Sequence, residues 1–352
     1  MRPAPLRVGV VGYGLAGRVF HASLLAADDD FVLDSVVTRS PDRAAQARAD
    51  HEGVAIVGDV DELWGRDLDL VVVASPNETH APVASAALRA GAGVVVDKPI
   101  ATSAAEATAL VELADELGRP LSVYQNRRWD GDFLTVRRLV GDGALGDVAT
   151  FESRFEPWKP RNRAGWKASA TAAEGGGILF DLGPHLVDQA LTLFGPVVDV
   201  AADIRTRRPG SAADDDVFVS LRHASGVVSR LWMSHVAALP GPRFRVLGSE
   251  AAYVVDGLDP QEAQLASGLS PHDPDYGRVE PSRYGVRGVG DDVRPEPTEV
   301  GRYPAFYRGM AAALRGDGPV PVDPRDSVAA LDVIERARVA AETRTGEAAV
   351  SS

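Results

Sequence analysis

The sequence contains no cysteine. Without a thiol there is no disulfide, no thiolate nucleophile and no zinc–thiolate site, a usage that fits a reducing cytoplasm. Positive charge is short as well: 37 Lys and Arg stand against 50 Asp and Glu, giving a formal net charge of −13. Such a surface repels nucleic acid and anionic membranes, so the expected partner is a small molecule. Long apolar runs are also missing. Met1-Arg2-Pro3-Ala4-Pro5 has no signal-peptide core and no later stretch approaches the length of a membrane span, so the reading is a soluble, cytoplasmic protein.

What is there, over 352 residues, is enough chain for two domains. An apolar run over 6–11 leads into Gly12-Tyr13-Gly14-Leu15-Ala16-Gly17 and then an amphipathic stretch over 18–27. Strand, glycine turn and helix in that order form the dinucleotide fingerprint. Gly12 permits the tight turn, Gly14 lets backbone approach a pyrophosphate at the helix N-terminus, and Gly17 lets helix pack on strand. The second strand, 31–37, ends in Thr38-Arg39-Ser40, where an NAD-type site places an acid on the ribose. A guanidinium fork there suits a 2′-phosphate, with the Thr38 and Ser40 hydroxyls adding donors, so NADP is favoured and NAD remains possible. A solvated loop arginine is the alternative.

Alternating helices (42–50, 61–64, 81–90, 103–117) and strands (54–57, 68–74, 93–96, 120–124) continue a six-stranded parallel sheet. Ser75-Pro76-Asn77-Glu78-Thr79-His80 leaves the carboxyl end of one strand, where open α/β sheets bind ligands, with Asn77 capping the next helix. Val94-Val95-Val96-Asp97-Lys98-Pro99 ends another strand in a lysine that burial and a bound positive ring tune toward proton transfer. A lysine snorkelling beside a turn proline reads equally well.

Beyond Gln125-Asn126-Arg127-Arg128-Trp129, a donor-rich junction, the pattern changes. A helix near 133–140 is followed by strands at 147–155, 197–205, 217–222, 227–235, 243–248 and 251–256 with few helices between them. That predicts a large, open, mainly antiparallel sheet whose bare face drives homo-oligomerisation, as a dimer or tetramer. Residues 258–301 read as a long insertion or lid in which Tyr284 and the surrounding arginines approach substrate or a neighbouring subunit; a mobile surface excursion reads at least as well. Segments 304–314 and 327–343 read as helices, the second packing back on the first domain. Asp214-Asp215-Asp216 reads as a solvated turn.

Between these strands lies Gly175-Gly176-Gly177 followed by Asp181 and His185, four residues apart and on one face once helical, although Pro184 counts against regularity. An acid and an imidazole set together form a catalytic wall. An amphipathic helix with a hydrogen-bonded histidine accounts for the stretch as well. As metal ligands the pair lacks companions, so no metal is expected.

Taken in order, Gly12-x-Gly14-x-x-Gly17, Ser75-Pro76-Asn77 with His80, Asp97-Lys98-Pro99 and Asp181-x-Gly183-x-His185-x-x-Asp188 resemble the Gfo/Idh/MocA family over almost the whole chain. The resemblance implies an α/β protein with two parts: a doubly wound Rossmann domain (1–125), and an α/β domain with an open sheet (126–352) for substrate and oligomer contacts. It implies an NAD(P)-dependent oxidoreductase acting on a secondary hydroxyl or ketone of a sugar or polyol. The family's catalytic lysine, aspartate and histidine fall on Lys98, Asp181 and His185. The cofactor set covers residues 12–17 and 38–40, Ser75, Pro76, Asn77, His80, Asp97, Lys98, Gln125 and Trp166. Asn126, Arg127, Asp181, His185 and Tyr284 are assigned to substrate. The family's Glu-Lys-Pro is Asp-Lys-Pro here. The runs 124–130 and 175–195 are similar to the branch containing NADP-dependent scyllo-inositol dehydrogenases, pointing to a cyclic polyol or sugar. A nonenzymatic cofactor or sugar sensor on the same fold is the alternative, but a sensor has no need of Lys98, Asp181 and His185 together.

Overall fold

The computed structural model describes residues 3–161 and 175–350. In chain order the strands and helices are β1 (Leu6–Val11), α1 (Ser23–Ala26), β2 (Phe31–Val37), α2 (Pro41–Asp50), β3 (Ala55–Val57), β4 (Leu70–Val73), α3 (His80–Arg89), β5 (Gly93–Asp97), α4 (Ala104–Leu117), β6 (Leu121–Tyr124), α5 (Gly131–Gly141), β7 (Val148–Phe155), α6 (Ile178–Phe194), β8 (Val197–Arg205), β9 (Asp216–His223), β10 (Val228–Ser234), β11 (Phe244–Gly248), β12 (Ala252–Val255), α7 (Gln261–Ala266), β13 (Gly285–Val289), β14 (Asp292–Glu296), α8 (Pro304–Arg315) and α9 (Pro324–Val350).

The chain divides into two compact units. The first comprises Met1–Trp129, Pro260–Gly277 and Arg302–Val328. Its six strands lie in the order β3-β2-β1-β4-β5-β6 and are all parallel. That is a doubly wound sheet whose strand order reverses between β1 and β4, the crevice where such sheets take ligands. Val8, Val10, Leu70, Val72 and Val95 are buried within it because parallel strands are covered on both faces. The late segments complete this core: Leu265, Tyr276, Tyr303, Phe306, Tyr307 and Met310 pack into one cluster with Leu24, Leu25, Phe31 and Tyr124. The returning helix is therefore α8, whereas the last helix from Ala329 onward belongs to the second unit.

The second unit carries eight strands in the order β14-β13-β12-β11-β7-β10-β9-β8. Only β7 and β10 pair in parallel; the other pairs are antiparallel. Period-two alternation sorts the side chains to two faces. Phe151, Ser153, Phe155, Leu231 and Met233 are buried on one face. On the other, Glu152 lies opposite Arg230 on one side and Arg245 on the other, and Trp232 stacks 5.0 Å from Phe218 with Arg154 over it. Residues 258–301 are not one excursion. They contain α7 of the first unit and a hairpin, β13–β14, that extends this sheet through a two-residue Gly290-Asp291 turn with Gly290 at φ 58°.

Candidate active site

The glycine turn sits at the carboxyl end of β1. Gly12 has φ 95°, and a Cβ there would meet the Ala74 carbonyl oxygen at 2.5 Å. Around Gly14 nothing lies within 4 Å of a built Cβ, which is the open approach a pyrophosphate needs. Gly17 has a different reason from helix–strand packing: its Cβ would collide with the Gly12 carbonyl, so the turn closes on itself. The helix that follows opens with a wide π-helical turn, Ala16–Ala22, before α1. Leu15 is exposed, but the Tyr13 side chain turns inward, its hydroxyl 2.9 Å from Asp50 and its ring against His51. Tyr13 therefore presents backbone, not its ring, to the outside.

At the end of β2 the Arg39 side chain is 83% exposed and reaches Asp59 at 3.1 Å and the Gly58 carbonyl at 3.4 Å. Asp59 was not singled out from the sequence; it belongs to the loop after β3, and only the parallel β2–β3 pairing brings it here. The Ser40 hydroxyl oxygen caps α2 by accepting from Arg43 N, and Thr38 Oγ1 accepts from Ser40 N.

Ser75-Pro76-Asn77 leaves β4 as expected, but Asn77 does not cap by its side chain. Its carbonyl accepts the His80 N–H, and the turn is tied by Ser75 and Thr79 hydroxyls 2.5 Å apart. His80 is buried with Nδ1 2.7 Å from the Pro99 carbonyl and Nε2 2.8 Å from the Ser75 carbonyl. Both ring nitrogens are engaged by backbone, so His80 braces the Ser75 loop against the Asp97-Lys98-Pro99 turn. At that turn Lys98 is half-buried, and Asp97 Oδ1 accepts the Lys98 backbone N–H at 2.9 Å. The Lys98-Pro99 peptide is cis. Gln125 and Asn126 are buried. Arg127, assigned to substrate, is committed within the first unit to Glu262 at 2.5 Å and the Tyr303 hydroxyl at 3.0 Å, and Arg128 to Asp326 at 2.8 Å. Trp166 lies outside the described residues.

Asp181 and His185 both lie on α6 in the second unit. The glycines before it are explained by its N-terminus. Gly177 has φ 96°, and a Cβ there would strike the Asp214 carboxylate at 2.4 Å. Asp214 accepts the Leu179 N–H on its side chain and the Ile178 N–H on its carbonyl, each at 2.8 Å, and pairs with Arg338 at 3.2 Å. The acidic run is thus no solvated turn. Asp214 and Asp215 are buried, and Asp215 accepts the N–H groups of Arg207 and Arg208. Burial alone raises the Asp215 carboxyl, but those hydrogen bonds outweigh it and hold the pKa low. Pro184 does not break α6. Gly183 ahead of it relieves the crowding that disfavours a helical pre-proline residue, and leaves room for the Leu179 side chain, which a Cβ would meet at 3.0 Å.

Asp181 is half-buried in the first turn, where the helix dipole favours its charge, and His185 is buried. The His185 ring lies 6.4 Å from that of Phe155. Arg243 stacks on the same Phe155 at 4.3 Å and donates to Ser153 at 2.6 Å and Gln189 at 3.0 Å. His235, passed over in the sequence, also belongs here. Burial lowers its pKa, opposed first by the contact of its ring with the Pro157 carbonyl and to a smaller extent by the Asp181 charge. Tyr284 is half-buried at the entry to β13 in the sheet's edge hairpin.

A doubly wound sheet with this turn defines a dinucleotide-binding α/β protein. Residues 6–125 match the oxidoreductase family with the NAD-binding Rossmann fold, and residues 133–254 match the GFO/IDH/MocA C-terminal domain. The chain is 40% identical to the oxidoreductase YdgJ of Escherichia coli K12, over 94% of each chain. It is 32% identical to the scyllo-inositol 2-dehydrogenase (NADP(+)) IolW of Bacillus subtilis 168, over 94% of this chain and 92% of the relative. The solved structure of the oxidoreductase yvaA from Bacillus subtilis superposes with TM-score 0.90 at 30% identity over 98% of each chain. The chain belongs to the Gfo/Idh/MocA family and is an NAD(P)-dependent oxidoreductase acting on CH–OH groups. Among the described residues no helix is long and apolar enough to cross a membrane.

Proposed function

We propose that this enzyme prefers NADP and interconverts a secondary hydroxyl and a ketone on a cyclic polyol or sugar of the inositol type. The observation that carries the reading is the cluster at the carboxyl ends of β1, β2 and β5 in one unit: the open turn at Gly14, the exposed fork of Arg39, and Lys98. Arg39 suits a 2′-phosphate as a planar bidentate donor. The inositol-type substrate rests on the likeness to IolW. When bound, the nicotinamide supplies hydride donor and acceptor chemistry at its C4. The Lys98 ammonium or the His185 imidazole holds and moves the proton of the substrate hydroxyl, while Asp181, one helical turn before His185, orients the imidazole and the substrate.

We also infer a homo-oligomer formed through the outer face of the eight-stranded sheet, on the strength of the Trp232–Phe218 pair and the arginine-flanked Glu152. The direct test of function is absorbance at 340 nm with NADP or NAD against inositols, aldoses and their keto forms. Turnover of scyllo-inositol or its ketone with NADP is the expected result. Better turnover with NAD overturns the reading of Arg39, and turnover confined to unrelated alcohols overturns the substrate class.

A further inference from the structure

Beneath the Asp97-Lys98-Pro99 turn lies a buried polar group that the proposed chemistry does not use. His21, from the π-helical turn after the glycines, and Tyr307, from α8, are both 0% exposed and 286 positions apart. The Tyr307 hydroxyl lies 2.6 Å from His21 Nδ1, and His21 Nε2 faces Asp97 Oδ1 at 4.0 Å. The imidazole packs at a tilt against Tyr124, with centroids 4.5 Å apart and ring planes 57° to each other, and edge-on to Tyr307. Among the described residues Nε2 has no hydrogen-bond partner, and the Asp97 carboxylate faces it at 4.0 Å.

We propose that Tyr307 and His21 are positioning residues: a directed pair, Tyr307 O–H donating to His21 Nδ1 and His21 Nε2–H pointing at Asp97, that fixes this carboxylate and through it the Lys98 backbone. The direction follows from electrostatics at a fully buried ring facing a partly exposed carboxylate. A carboxylate 4.0 Å away attracts an N–H and repels a lone pair, and in low dielectric that preference is strong. Once Nε2 carries the proton, Nδ1 is an acceptor and the phenol must donate. The groups around the ring agree with a neutral imidazole. Burial pushes His21 down to about 4, Asp97 opposes this and His80 adds to it, while burial first and then Asp97 raise the Tyr307 phenol, keeping it a donor. Asp97 then accepts the Lys98 N–H, so the order imposed by α8 ends at the residue that presents the ammonium. The shorter acid of Asp-Lys-Pro is what this pair holds in place.

The pair's functional meaning rests on the role proposed for Lys98, so the test has two separable readouts. The first is the ring tautomer of His21 in the cofactor-free protein, from 15N histidine NMR at pH 7 with the His21 signal assigned through His21→Gln. The Nε2–H form is expected in the wild type, in Lys98→Ala and in Tyr307→Phe, where Asp97 still directs the proton. The second is kinetic: Tyr307→Phe should lower kcat by about tenfold while the NADPH Kd stays within about twofold. Asp97→Asn keeps the shape but removes the charge, and is the variant that should release the tautomer preference into a mixture. An Nδ1–H tautomer in the wild type overturns the proposal, as does a Tyr307→Phe protein with unchanged kcat. A fully active Lys98→Ala with the Nε2–H tautomer intact removes the proton-shuttle reading and leaves the pair standing.

Discussion

Arg39 rests on the Asp59 carboxylate, so on the proposed NADP preference a 2′-phosphate must share or displace that partner. Arg39→Asp should weaken NADP binding by at least about tenfold and NAD far less, whereas Asp59→Asn should tighten NADP modestly; fluorescence titration of NADPH and NADH checks both. Lys98→Ala and His185→Ala should each lower kcat by about 10² or more while leaving the NADP Kd within about tenfold. On the proposed role of both in one proton transfer, the double variant should lose little more than the worse single one in steady-state assays. Histidine burial also sets a pH dependence. The folded His21 has its pKa depressed to about 4, so between its unfolded value near 6.5 and that point the unfolded chain binds more protons. Stability is therefore full above about 6.5 and falls as pH drops toward 4, by up to about 3 kcal/mol from this group. Thermal melts at pH 7, 6 and 5 should show a shallower decline for His21→Gln. What could be read from sequence at this scale was local: Gly12 and Gly14 follow from turn chemistry within six residues. Asp59 beside Arg39, and Tyr307 on His21, depend on strand pairing and on a helix from the far end of the chain.

The α6 N-terminus shows how one residue can set an element. Asp214 satisfies two backbone N–H groups, pairs with Arg338 and stands where Gly177 has no side chain. Asp214→Ala removes the cap and leaves a partly buried guanidinium unpaired, so it should cost about 1–3 kcal/mol and lower kcat, because α6 carries Asp181 and His185. Asp214→Asn keeps an acceptor and should cost less; calorimetric midpoints distinguish the two. The apolar runs of β1, β4 and β5 announce themselves as buried parallel strands. The hairpin β13–β14 does not, because β14 is an edge strand, mostly exposed and able to carry Pro295, so its residues look like loop. The acidic run at 214–216 misleads for the opposite reason: its first two charges are buried only because the start of α6 and the N–H groups of Arg207 and Arg208 come to meet them.

At the scale of the whole molecule, light scattering at micromolar concentration should give at least twice the 37.1 kDa of one chain. Trp232→Glu, which puts a charge on the outer face of the sheet, should shift the mass toward 37.1 kDa while the far-ultraviolet circular dichroism is retained. A parallel doubly wound sheet followed by a mainly antiparallel one was readable from strand spacing, whereas the interleaving of the two units was not, since nothing local to 260–277 or 302–328 says which core it fills. That interleaving reaches back to the ribosome. The first 129 residues emerge without Tyr303, Phe306, Tyr307 and Met310, which close their core. At about 5–20 residues per second, the nascent sheet waits roughly 10–40 s for the segment ending at Val328. During that interval its uncovered apolar flank is a natural client for a chaperone, and a fragment ending at Trp129 should remain one.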